Sequence, residues 1–268
     1  MKILQLLFLL LLPFSLLNAN VYYSKVEPYE TRKISSNVVG VVLSVNEDLI
    51  GKTLSGKSYI VIDSQLDRDE LRFVVEKLKY LRSTVAVNEN MLQNLKESLD
   101  KKRKNYERVK ELKIKSSVEK DKEFYDLINS ENSFLATQKE INTLKTQIAD
   151  LSLRKAQLKR SISDKNLSAK GLKLYDINVK VGEVVNKGTP LATLSDVSRA
   201  ILTIYLNAED VASAKASVVY VDGVKTDYKV DRLLNIADSK NISKYMAQIV
   251  VKKPKIFSKL VKIELRAE

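Results

Sequence analysis

Residues 71–109 read LRFVVEKLKYLRSTVAVNENMLQNLKESLDKKRKNYERV, and their spacing decides the fold. Leu71, Val74, Leu78, Leu81, Val85, Asn88, Leu92, Leu95, Leu99, Lys102, Tyr106 and Val109 alternate steps of three and four without a break. A second register, Leu127, Ser130, Phe134, Thr137, Ile141, Leu144, Ile148, Leu151, Lys155, Leu158 and Ile162, does the same. Spacing that averages 3.5 keeps one stripe of a helix facing a partner, so each run predicts a long helix with a supercoiled seam. Asn88, Lys102, Ser130, Thr137 and Lys155 interrupt the seam; they either specify register or leave part of it facing neighbours.

Working outward, neither Gly nor Pro occurs between Lys57 and Lys170. Ser64 follows the strand-like Tyr59-Ile60-Val61-Ile62-Asp63 and precedes Asp67 by three residues, a capping pattern that starts the first helix near residue 65. Ser116 with Glu119 makes a second capping box and places the reversal near residues 113–117. Two antiparallel arms of about 48 residues would reach about 70 Å. Residues 101–122 hold ten Lys/Arg against four Asp/Glu, so a net charge of +6 gathers at the tip. Such a cluster reads either as a solvated helix face or as a surface for an acidic partner.

The flanks of the helical stretch are β-like. Gly40, Gly51 and Gly56 punctuate one side; Gly171, Gly182 and Gly188 punctuate the other, with the same eleven-residue gap between the first two of each set. Glycine at these points permits tight turns, and Val38–Val42 and Leu191–Leu194 suit short strands. Two matching halves around a helical insertion predict one β-domain split by a hairpin. Beyond Asp196, residues 200–206, 217–221, 245–251 and 260–265 alternate as strands, with a turn at Asp222-Gly223 and a short helix at 208–212 capped by Asn207, which predicts a small β-barrel.

Residues 1–19, MKILQLLFLLLLPFSLLNA, have the layout of a secretory signal with cleavage after Ala19; a retained anchor is the alternative. Export makes nucleic acid an unsuitable partner despite 46 Lys/Arg against 33 Asp/Glu. The chain has no Cys, His or Trp. That removes Ser/His and Cys/His nucleophiles, His/Cys zinc sites, haem and iron–sulfur ligation and disulfides. Carboxylates remain, and the groups at Asp67/Asp69/Glu70 and Glu209/Asp210 sit at inferred helix starts, where acids stabilise the helix dipole. No catalytic, cofactor or metal residue is assigned, and the chain is read as a non-enzyme.

Gly182-Glu183-Val184-Val185-Asn186-Lys187-Gly188-Thr189-Pro190-Leu191 resembles the second half of a lipoyl-like domain, and Leu202-Thr203-Ile204-Tyr205-Leu206-Asn207-Ala208-Glu209-Asp210-Val211 resembles the opening of the barrel in periplasmic adaptors, the membrane fusion proteins of tripartite efflux and type I secretion systems. Family hairpins carry a tip Arg, a Leu four later and a Ser seven beyond. Arg108 and Leu112 match; Glu119 stands at the Ser position, with Ser116 and Ser117 displaced toward the turn. The first half is also one residue short between its second and third Gly, and a Pro often found before the second half is absent.

The resemblance implies an elongated α+β chain. Its parts are a signal peptide (1–19), an N-terminal segment with the first lipoyl-like, barrel-sandwich half (20–63), a coiled-coil hairpin (64–168), the second half (169–197) and a β-barrel (198–268). It also implies a periplasmic location at the inner membrane, an RND or ABC transporter and a TolC-like channel as partners, and a ring of copies. Arg108, Leu112, Ser116, Ser117 and Glu119 become the partner-binding tip. Two other readings stand beside it. A lipoyl or biotinyl carrier would need its Lys beside Met or Asp-Ala in a tight turn, and Met1, Met91 and Met246 are not so placed, while about 100 residues of helix stand where that turn is expected. A coiled-coil envelope scaffold without a transport role would need no split β-domain.

Overall fold

The structure is a computed structural model and describes residues 20–238, 241 and 243–266; the leader expected at 1–19 lies outside them. The seam is realised as two helices, α1 (Gln65–Glu111) and α2 (Ser117–Asp164). Every position of both apolar registers is buried or half-buried, while the residues between them are mostly exposed. Cross-arm pairs fix an antiparallel register: Arg154 forks onto Glu70 at 2.6 Å, Lys145 meets Glu89 at 2.8 Å and Arg103 meets Glu131 at 3.8 Å. In each pair the residue numbers rise on one arm as they fall on the other, which only an antiparallel hairpin gives. Three of the polar seam residues, Asn88, Ser130 and Thr137, are buried between the arms. The Thr137 hydroxyl donates to the Ser133 carbonyl, whereas the Asn88 Nδ2 has no partner among the described residues.

The helix starts differ in how they are capped. Ser116 makes the expected capping box. Ser64 does not cap α1, because its side chain is buried and makes no cap hydrogen bond; the Asp63 carboxylate accepts the Gln65 N–H instead, at 2.9 Å. α2 stops at Asp164, four residues before the predicted end of the hairpin, because Asn166 already pairs with Val61 as the first residue of a strand.

Two hydrophobic cores flank this hairpin. The first is filled from both sides of the helical insertion, by Val42, Ile60 and Ile62 before it and Leu174, Val185 and Leu191 after it, all essentially inaccessible to water. Its strands are β2 (Gly40–Val45), β3 (Thr53–Ile62), β4 (Asn166–Ile177) and β5 (Val184–Val185). Gly51, Gly56, Gly171, Gly182 and Gly188 have the positive φ that a turn glycine permits. Gly40 does not: it opens β2, and a Cβ there would lie 2.7 Å from Ile62 Cγ2, so its role is close approach rather than a turn.

Two long strands run from this core into the second. β1 (Asn20–Ser35) pairs along its second part with β6 (Pro190–Leu206), while its first six residues pair with β11 (Leu260–Arg266). β6 passes through Asp196–Arg199 without a break, where the sequence predicted a boundary. The second core gathers Leu202, Ile204, Val219, Ile249 and Ile263, from β6, β7 (Val218–Val221), β10 (Tyr245–Lys252) and β11, under the short helix α3 (Ala208–Val211).

The expected barrel is not closed. The strand path ends at β8 (Val224–Lys225), and β9 (Arg232–Ala237) pairs only with β10. The gap is covered by side chains instead: Val230 is buried, Tyr228 packs on the core, and the Asp231 carboxylate accepts the Val250 N–H at 2.6 Å. Those contacts bury apolar surface without the strand tilt and register that closure demands.

Candidate functional site

The end of the hairpin is built from residues 105–125. Arg108 lies in the last turn of α1, exposed, and its Nη2 donates to Asn105 Oδ1 at 2.7 Å; Asn105 Nδ2 in turn donates to Glu123 Oε2 on α2 at 2.6 Å. This relay fixes the guanidinium's origin yet leaves most of its five donors without a protein acceptor among the described residues. Just below the tip the seam is shut by the rings of Tyr106 and Phe124, with centroids 5.6 Å apart, and Tyr125 stands edge-on to Phe124. Leu112 ends α1 with extended backbone and is partly exposed.

Ser116, Ser117 and Glu119 begin α2. The Ser116 Oγ accepts the Glu119 N–H at 3.3 Å, and Glu119 Oε2 accepts the Ser116 N–H at 3.0 Å. Lys115 Nζ sits 2.9 Å from the other carboxylate oxygen. Lys115, then the Ser116 N–H and hydroxyl, hold the Glu119 carboxyl down at about 2. The Ser116 hydroxyl and the Glu119 carboxylate are therefore spent on the turn itself, while the Arg108 fork and the Ser117 side chain have bonds left to make. Ile114 and Val118, at 87% and 75% exposure, stand out from the tip between these charges. Sequence spacing passes over both, since neither belongs to the seam; the available signal is an apolar side chain inside an otherwise charged reversal.

Of the carboxylates considered as chemistry, Asp67, Asp69, Glu70 and Asp210 are engaged structurally, and Glu209 is exposed on the first turn of α3. Asp67 Oδ2 meets Lys165 Nζ at 2.8 Å and accepts from the Ser161 hydroxyl at 2.9 Å, which ties the hairpin base together. Burial pushes the Asp67 carboxyl up, and the Lys165 and Ser161 hydrogen bonds outweigh that to leave it below its ordinary value. Asp69 pairs with Arg72, and Glu70 is held down by the Arg154 fork. Asp210 is buried and accepts from the Tyr22 hydroxyl and the Asn20 amide, fastening the start of β1 to α3; burial, then Asp210, raise the Tyr22 phenol. Asn207 does not cap α3 with its side chain, which accepts from Lys244 instead. Among the described residues no cluster of acidic side chains could hold a metal ion, and no helix is long and apolar enough to cross a membrane.

This fold has been seen before. The crystal structure of MacA from Actinobacillus actinomycetemcomitans is similar with a TM-score of 0.60 at 16% identity, over 92% of this chain and 78% of that one. The membrane fusion protein Spr0693 from Streptococcus pneumoniae R6 gives 0.58 at 11% identity, over 93% and 99% of the two chains. A MacA–MexA chimera containing the Pseudomonas aeruginosa MexA α-hairpin domain gives 0.53 at 13%, over 93% and 81%. No family model and no curated protein matches the sequence, and at these identities the likeness is one of fold.

Proposed function

We propose that this chain, which has the fold of the membrane fusion protein Spr0693 and of MacA, is a periplasmic adaptor that joins an inner-membrane transporter to a TolC-like outer-membrane channel. The observation that carries the reading is reach: 47- and 48-residue helices project from a β-domain as one antiparallel hairpin, a span of about 70 Å at 1.5 Å per residue. A rigid spacer of that length, with unspent donors and exposed Leu112, Ile114 and Val118 at its far end, suits contact across an aqueous gap. Arg108 makes charge-assisted hydrogen bonds to carboxylates or carbonyls at the channel mouth, while Ser116 and Glu119 keep the turn in shape. The split lipoyl-like unit and the open β-domain beyond it dock on an RND or ABC transporter.

Self-association into a ring finds support on the outer face of α1. Leu66, Phe73, Tyr80 and Val87 recur every seven residues and are all largely exposed, a second apolar stripe that the hairpin's own partner arm does not cover.

Reach is tested by shortening. Deleting residues 82–95 and 134–147 removes two heptads from each arm and keeps the 3/4 seam in register, but shortens the hairpin by about 21 Å. The shortened chain is expected to fold and to co-purify with its transporter while export of the pump's substrate fails. Export at the full-length level would remove the adaptor reading.

A further inference from the structure

A cavity of about 400 Å³ enters the second β core at its end nearest the first. Its walls are Val26, Leu202, Val221, Tyr228, Val251 and Val261, and its mouth is framed by Lys252 at the end of β10 and by Lys253-Pro254-Lys255-Ile256 of the β10–β11 loop. The loop is held over the opening by backbone bonds: the Val26 N–H donates to the Lys259 carbonyl at 2.9 Å, and the Ser258 N–H to the Val26 carbonyl at 2.8 Å. Lys259 is neutralised by Asp222 at 2.8 Å. Lys252, Lys253 and Lys255 are exposed and have no ion-pair partner among the described residues. Glu27, the acidic residue next to Val26, lies on the opposite face of β1 and lines a different groove.

We propose that this cavity binds a single-chain anionic amphiphile of the fatty-acid class, its alkyl chain between the valines and its anionic head on Lys252, Lys253 and Lys255. The volume lies in the range of small-molecule pockets. An alkyl chain brings no polar group into the apolar interior, whereas an inserted peptide would bring amides that the strand-paired walls cannot satisfy. Lysine stems lie along apolar surface while their ammonium groups stay in water, so a head-and-tail ligand meets both parts of the site. The tail supplies affinity by burial; the head supplies orientation and a salt-dependent share.

The test is equilibrium dialysis of the exported chain with radiolabelled decanoate below its micelle concentration. Saturable binding near one per chain is expected, with decyl maltoside and acetate each at least about tenfold weaker, and with affinity falling as salt rises. The exposed-site double variant Lys253→Glu/Lys255→Glu should fold as before, by helical circular dichroism, and lose at least about tenfold in decanoate affinity. Val26→Trp, which fills the cavity, should abolish the preference for decanoate over acetate. Decanoate held no better than acetate, or undiminished by the double variant, would overturn the proposal. Displacement by hexaglutamate as effective as by unlabelled decanoate would overturn it too, since it would reduce the site to charge. So would lysine-dependent sedimentation with phosphatidylglycerol vesicles in the absence of decanoate binding, which would move the site to a bilayer surface.

Discussion

The two ends of the hairpin are made from the same helices and are held in opposite ways. At the base, Val74, Leu78 and Leu158 form a buried cluster, Asp67, Ser161 and Lys165 join the arms to each other, and the Lys165 carbonyl accepts the Ile62 N–H of β3 at 2.7 Å. At the tip, Leu112, Ile114 and Val118 are exposed, and order comes from a local capping box and an aromatic pair. The base spends its side chains on being rigid. The tip holds its shape with local contacts and leaves Leu112, Ile114, Val118 and most of the Arg108 fork unengaged, the division of chemistry that the proposed docking role calls for.

The sharpest way to break that contrast is truncation in the packed cluster. Leu158→Ala, at 2% exposure, is expected to cost about 2–5 kcal/mol in chemical denaturation, while Ile114→Ala at the tip stays within about 0.5 kcal/mol. Equal losses would mean that the tip is packed as tightly as the base. Next, Asp67→Asn removes the charge that Lys165 and Ser161 share in a partly buried setting. A loss of about 1–3 kcal/mol is expected, with amide exchange rising first near residues 65–70 and 160–165.

The smallest effect is local to the tip and depends on pH. Glu119 titrates at about 2 in the fold against 4.5 ordinarily. A carboxylate with a depressed folded pKa adds stability that is complete above its unfolded value and disappears as pH falls toward the folded one. The difference in thermal midpoint between the wild type and Glu119→Gln should therefore be constant above about pH 5 and shrink toward zero near pH 2. A difference that grew on acidification would show that Glu119 is not held by Lys115 and Ser116.

Much of this division was legible in residues 57–170. The seam, the second capping box and the position of the tip follow from local spacing, because a helix is specified by neighbours three and four residues away. What escaped was long-range. β1 carries Pro28, Glu30, Arg32 and Lys33 and buries only alternate residues of its first part, so little marks it as the strand that joins two cores; its partners lie 155–245 residues away. The continuity of β6 through Asp196–Arg199 and the covering of the end of β10 by Tyr228, Val230 and Asp231 are likewise settled by tertiary contacts. At the site, the capping box located the turn and the family resemblance singled out Arg108, but neither could tell that the Ser116 hydroxyl and the Glu119 carboxylate are taken up by the turn itself, nor that Ile114 and Val118 stand clear of the seam.

The central claim is that the tip, and not the base, meets a channel. A photocrosslinking residue placed at Ile114 in living cells, with another at Lys79 on the exposed side of α1 near the base, asks this directly. The account predicts that the Ile114 probe captures a TolC-like outer-membrane channel, that Arg108→Asp removes this adduct without lowering the amount of folded chain, and that the Lys79 probe captures no channel. A channel adduct from Lys79 alone, or an Ile114 adduct that survives Arg108→Asp alongside normal export, would contradict it.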